Sequence, residues 1–158
     1  MAERGGGGRW DADGGRGAGG AQVVYACVRV VAAWVYVQHG AQKMLGVLGG
    51  VGPGGATAPF PSLFGWAGVI ELVCGALILV GLATRVAAFL ASGEMATAYF
   101  IAHAPHGFLF TVQNHGEVPA MLAFVFLYVA VIGGGRYSLD TLIVRARASR
   151  AFPAPQTP

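Results

Sequence analysis

Residues 63–82 read LFGWAGVIELVCGALILVGL, twenty positions with a single charged group, Glu71. A helix that crosses a bilayer needs about 20 consecutive, mostly apolar residues. This run meets that length and lacks the period-2 alternation of a membrane strand. It is preceded by GGVGPGGATAPFPS (49–62), whose glycines and prolines cannot continue a helix. Working outward, the same apolar pattern recurs at about Val23–Leu48, Thr84–His103 and Glu117–Ile132. In the last of these Pro119 falls in the first turn, where its missing N–H has no intrahelical partner. Only Ala83 separates residue 82 from the next run, which makes the second and third helices an antiparallel hairpin.

The charge distribution supports the same reading. Of 158 residues, 55% are apolar and 11% charged, against about 25% charged in soluble chains. Of the 17 charged residues, six lie in 1–22, five in 133–158, and only six in the 110 residues between. Those six are Arg29, Lys43, Glu71, Arg85, Glu94 and Glu117. A soluble domain of that size would need a charged surface that this one lacks. The fold class expected is all-α, an integral membrane four-helix bundle. The lipid bilayer is the implied partner, and no nucleic acid is: the net charge of +3 arises from terminal arginines flanking apolar segments.

Residues 1–22 hold nine glycines and both charge signs, which predicts a disordered Gly/Arg-rich tail without a secretory signal. Residues 144–158 read as a basic, proline-containing C-terminal tail, with 141–150 suited to a short interfacial helix. Arginines occupy both tails and the turn at Arg85, while connections 49–62 and 104–116 contain no Lys or Arg. The positive-inside rule then places both termini in the cytoplasm, as an even number of spans requires. Cys27 and Cys74 each fall within an apolar run and read as unpaired packing residues. The glycine runs at 5–8 and 49–55 lack the strand, Lys-Ser/Thr and helix context of a phosphate cradle.

Ionisable groups inside spans are costly and mark functional positions. Counting about 1.5 Å per residue from the expected span boundaries puts Arg29, Glu71 and Glu94 about 9–16 Å deep, in one inner layer. His39, Lys43, His103, His106, His115 and Glu117 form an outer layer, with Lys43–Glu117 the natural ion pair. The groups lie on stripes of small residues: Arg29, Ala33, Tyr36, Gly40 and Lys43; Gly68, Glu71, Cys74 and Gly75; Ala87, Ala91, Glu94 and Ala98. Such stripes predict close helix contacts with the charges turned inward. Two readings follow: a structural network around Arg29 that sets helix register, or a polar pocket for a ligand or a proton. His103, His106 and His115 are weak metal candidates, because Pro105 interrupts the pair and no second paired motif follows; no metal is expected.

The same residues carry a resemblance. Arg29, His39-Gly40-x-x-Lys43-Met44-Leu45, Ala67-Gly68-x-Ile70-Glu71-Leu72 with Gly75, and Gly81-Leu82-x-Thr84-Arg85-x-Ala87-Ala88 occur in that order. Asn114-His115-Gly116-Glu117 and Gly135-Arg136-Tyr137-Ser138-Leu139-Asp140 follow. The pattern resembles the DoxX family of small bacterial membrane proteins over roughly residues 25–141, within a domain at 23–143. The resemblance implies a four-helix bundle in the bacterial inner (plasma) membrane, crossing it several times. It also implies association with membrane oxidoreductase systems linked to quinones. The expectation is therefore a subunit of a quinone-linked redox system, not catalytic alone, with other membrane-complex or redox subunits as partners and homo-oligomers allowed. No intrinsic cofactor is expected, since the chain has no CxxC, dinucleotide fingerprint or haem attachment site; a bound quinone is. Arg29, His39, Lys43, Glu71, Glu94 and Glu117 are the candidate ligand-binding or proton-relay residues. The alternatives are a non-catalytic scaffold or assembly subunit and, third, a small-solute transporter.

Overall fold

The structure, a computed structural model, describes residues 10–109 and 111–151, with side chains from Ala18 onward. Helix α1 spans Trp10–Leu45, α2 Leu63–Val80 and α3 Thr84–Ala98. A π turn at Tyr99–His103 and a 3-10 turn at Ala104–His106 extend α3. A single turn, α4 (Thr111–Asn114), leads to α5 (Glu117–Ile132), and α6 spans Leu139–Ala151. The described residues are helical and contain no strand, only an isolated bridge between Gly52 and Ala56.

The helix ends follow local chemistry. The Ser62 hydroxyl accepts from the Gly65 amide at 3.0 Å and starts α2. Gly81, at φ 72°, stops it in the left-handed conformation a glycine adopts without strain, while the Leu82 amide donates back to the Leu77 carbonyl at 2.9 Å. Helix α1 begins at Trp10, so it takes in part of the stretch that composition assigns to an unstructured tail. Residues 1–9 of that tail and 152–158 of the C-terminal tail lie outside the described residues. The third run is not one α-helix to His103: the α-helical hydrogen bonding gives way to a π turn after Ala98.

Helix α1 packs along α2 and α3 along α5, with α2 against α3 joining the pairs and α1 touching α5 lightly. Glycines set the first pairing. A Cβ on Gly40 would lie 2.5 Å from the Leu72 amide nitrogen, and one on Gly75 would lie 2.6 Å from Val37. A Cβ on Gly68 would meet the Lys43 Cβ at 2.8 Å. These three contacts define one antiparallel register. In the second pairing, Ala87, Ala88 and Ala91 of α3 are buried, as are Leu122, Ala123, Phe126 and Val129 of α5. Tyr36 and Phe126 meet edge to face at 4.9 Å in the centre.

The surface is the reverse of a soluble protein's. Trp34, Trp66, Val86, Phe89, Met121, Phe124 and Val131 are each more than half exposed, while Arg29 is 2% exposed and Glu71 1%. Apolar side chains of that size around a bundle with a charged interior fit lipid surroundings. By length and composition, Ala18–Leu45 and Leu63–Val80 can each cross a membrane. Helix α5 is apolar but only 16 residues long, and α3 has 15 before its π turn. Two of the four expected spans thus meet the full length as single α-helices.

Candidate functional site

The polar residues divide between the two ends of the α1–α2 pair. At one end Arg29 does not join the carboxylates. Its Nη1 donates to the Ile78 carbonyl and, at 2.8 Å, to the Leu79 carbonyl, while Nη2 donates to Tyr137 at 2.7 Å. A guanidinium thus covers the last carbonyls of α2, the negative end of that helix. The register explains why: Arg29 faces the turn at Ala83, while Glu71 faces a level twelve residues, or about 18 Å, further along α1. The single inner layer of Arg29, Glu71 and Glu94 is therefore not formed.

The same end gathers several sequence motifs. Arg85 donates to the Val131 carbonyl at 2.7 Å and to Ile132 at 3.3 Å, capping α5. The Tyr25 hydroxyl donates to the Gly133 carbonyl. Asp140 of α6 caps α3, whose own N-cap position is Ala83, with no side chain to offer. It accepts from the Ala83 amide at 2.8 Å, the Thr84 amide at 3.0 Å and the Thr84 hydroxyl at 2.7 Å. Partial burial works to raise the Asp140 pKa, but these donors, with the Arg29 charge, outweigh it and hold the carboxyl below its ordinary range. Gly81 fits against Ser138, whose Cβ a side chain there would meet at 2.5 Å. This end reads as a lock of charges and helix termini.

At the other end a lateral cleft of about 870 Å³ opens between α1, α2, α3 and the start of α5. Its walls include Phe64, Trp66, Ile70, Phe89, Leu90 and Ile101. The ionisable groups on it are His39, Lys43, Glu71, Glu94, His103 and His115. Lys43 pairs with Glu71 rather than Glu117, Nζ to Oε1 at 2.6 Å. Gly68 lets the lysine stem lie across α2, so that the ammonium reaches the carboxylate one turn on. The ammonium also sits 4.7 Å from the Phe64 ring centroid. Glu71 Oε2 is buried and has no hydrogen-bond partner. Glu94 Oε2 accepts from the Tyr36 hydroxyl at 2.9 Å.

Of the residues singled out from the sequence, His39, Lys43, Glu71 and Glu94 share the cleft, and His103 and His115 join them. Arg29 does not line it, and neither do Glu117 and His106, both exposed. His103 Nδ1 lies 2.9 Å from the Asn114 carbonyl and its ring stacks on Tyr99, a loop-bracing role. Among the described residues no three His, Cys, Asp or Glu side chains cluster as a metal would need. Cys74 is buried as a packing residue, but Cys27 lies on the exposed face, and both are free thiols. Sequence reasoning missed Tyr36 as a partner for Glu94, although it stood on the Arg29–Lys43 stripe. Reading that stripe for hydroxyl donors as well as charges would have found it. Asp140 was noticed as part of a motif, but nothing in the sequence marks it as a cap for a helix 56 residues away.

A family model described as DoxX matches residues 24–104. An uncharacterized protein of Haemophilus influenzae is 40% identical over 117 residues, covering 73% of this chain and 87% of its own. An uncharacterized membrane protein of Mycobacterium tuberculosis is 34% identical over 129 residues, covering 72% of this chain and 77% of its own. No solved structure matches the chain.

Proposed function

The chain belongs to the DoxX family, and from that premise we propose that it is a multi-pass bacterial inner-membrane protein whose lateral cleft binds a quinone for a membrane redox complex. In this reading α1, α2, α3 with its π extension, and α5 all cross the bilayer, with both termini cytoplasmic. The arginine end then faces the cytoplasm, as the positive-inside rule asks, and the cleft lies toward the outer leaflet. The chain binds and positions the ligand and exchanges protons with it. Electron transfer belongs to partner subunits.

The observation that carries this reading is the composition of the cleft. Aromatic and aliphatic walls surround one buried ion pair, Lys43–Glu71, and the half-buried Glu94. An apolar cavity with a few convergent polar groups is the usual form of a small-molecule site. A quinone ring and tail suit its walls, its carbonyl oxygens can accept from the Lys43 ammonium, and the two carboxyl groups can pass the protons that its reduction consumes. Phe64, Trp66 and Phe89 are exposed as well as lining, so a lipid-dissolved ligand would reach the cleft sideways from the bilayer.

The test is quinone titration of the purified chain in lipid nanodiscs, read by tryptophan fluorescence. Saturable quenching is expected. Gly93 lines the cleft and has open space at its Cβ position, so Gly93→Phe should fill the cleft without disturbing the fold and abolish saturation. Quenching equal to that of free tryptophan in quinone-loaded nanodiscs would refute the reading. A second reading, a non-catalytic scaffold, is favoured by the arginine end, where Arg29, Arg85 and Asp140 are committed to helix termini; it predicts that Gly93→Phe leaves complex assembly and redox activity intact.

A further inference from the structure

Helix α6 is tied to the bundle at its start. The Ser138 hydroxyl oxygen accepts from the Thr141 amide at 3.2 Å, and the Asp140 amide donates to the Gly81 carbonyl at 2.9 Å. The Asp140 carboxyl is committed to the start of α3. From Leu142 to Ala151 every residue is exposed, and α6 packs along no other described helix. A helix of 13 residues without such packing is marginal in water. Its sequence shows what can cover it. Leu139, Leu142, Ile143 and Ala146 recur at i, i+3, i+4 and i+7, one apolar stripe over the first two turns. Val144 is the one large apolar side chain off that stripe. At about 100° per residue, Arg145 and Arg147 stand about 110° and 90° to either side of the stripe, and Arg150 continues it into the last turn. None of the three arginines meets a carboxylate among the described residues, and α6 has no acidic residue beyond Asp140.

Resting on the bilayer placement given above, we propose that α6 lies on the cytoplasmic surface of the membrane and binds anionic phospholipids. Its apolar stripe enters the acyl boundary, and Arg145, Arg147 and Arg150 reach the lipid phosphates. An arginine stem lies along apolar surface while its guanidinium stays at headgroup level. The guanidinium then pairs with phosphate through two parallel hydrogen bonds. Tyr137, exposed just before the helix, fits the same interfacial level. The headgroups supply the negative charge that the described chain does not offer these arginines.

The experiment is hydrogen–deuterium exchange of the full chain, read by mass spectrometry, in two kinds of nanodisc. One is phosphatidylcholine alone, and the other contains about 30% phosphatidylglycerol. The amides of 142–151 are expected to exchange at least about tenfold more slowly in the anionic discs, since each arginine adds to the attraction. The difference should vanish at about 1 M salt, where the screening length falls to about 3 Å. Replacing all three arginines (Arg145→Gln, Arg147→Gln and Arg150→Gln) should remove the lipid dependence. Unchanged exchange at 63–80 would show that this variant is folded. Equal, rapid exchange of 142–151 in both discs overturns the proposal. Equal, salt-resistant protection overturns it in favour of a second copy of the chain. With either result, slow exchange at 63–80 leaves the membrane reading standing. Rapid exchange at 63–80 in the unaltered chain overturns the membrane reading as well.

Discussion

The two polar regions of this protein use similar groups toward opposite ends. At the arginine end, Arg29, Arg85 and Asp140 each meet a helix terminus through hydrogen bonds that are mostly to backbone, with Arg29 Nε the one buried polar atom there left without a partner among the described residues. At the cleft, Lys43 pairs with Glu71 and Tyr36 with Glu94, and one Glu71 oxygen is left over. Charge spent on a helix terminus offsets a fixed dipole and stabilises the fold. Charge held in a cavity with unmet capacity is available to a ligand. Burial alone does not separate the two, since Arg29 and Glu71 are equally enclosed.

The comparison can be broken by substitution. Arg29→Met should have the largest effect, because three carbonyls lose their donor: a loss of about 3 kcal/mol or more is expected. It would be read as a collapse of monodisperse yield and melting temperature in detergent. A variant that folds normally and loses only ligand binding would erase the distinction. Gly40→Leu comes next, at about 1–3 kcal/mol, since the new side chain forces α1 off Leu72. It should also lower ligand affinity, because the same backbone carries Glu71.

Asp140→Ala removes the α3 cap and should cost about 1 kcal/mol, with no change in ligand selectivity. The pH dependence sharpens this. The folded-state pKa of Asp140 is depressed, so its contribution is fully present above the unfolded value of about 3.9 and is lost as pH falls through the lower folded value. Melting curves from pH 6 to 3 should show an acid-side loss of stability smaller in Asp140→Asn than in the parent. Glu94→Gln should have the smallest effect on stability, within about 0.5 kcal/mol, because an amide oxygen still accepts from Tyr36. Its effect belongs in ligand affinity.

The helices were largely legible. Residues 63–80 and 117–132 could be read from hydropathy and breakers, and the small-residue stripes did become contacts, with Gly40, Gly68 and Gly75 lying against the opposite helix. The Tyr99–His103 π turn was not legible, because an apolar run looks the same whether its hydrogen bonds step by four residues or by five. The start of α1 at Trp10 was hidden by glycines that composition counts against a helix. Within the site, Glu71, Glu94, Lys43 and His39 were found because charge in an apolar run is conspicuous. Their partners were not found. Lys43 was matched to Glu117 by estimated depth, and depth counted from an assumed boundary carries no information about which residues face each other.

From residue types and their order follow the all-helical class, the membrane character, the family and the short set of buried charges, because each depends on local sums of hydropathy or on motifs contiguous in the chain. Which charges meet was decided in three dimensions. The three α1–α2 glycine contacts set the register, and that register sends Arg29 to a helix terminus and Lys43 to Glu71. A shift of one turn would exchange those partners while leaving every hydropathy sum unchanged.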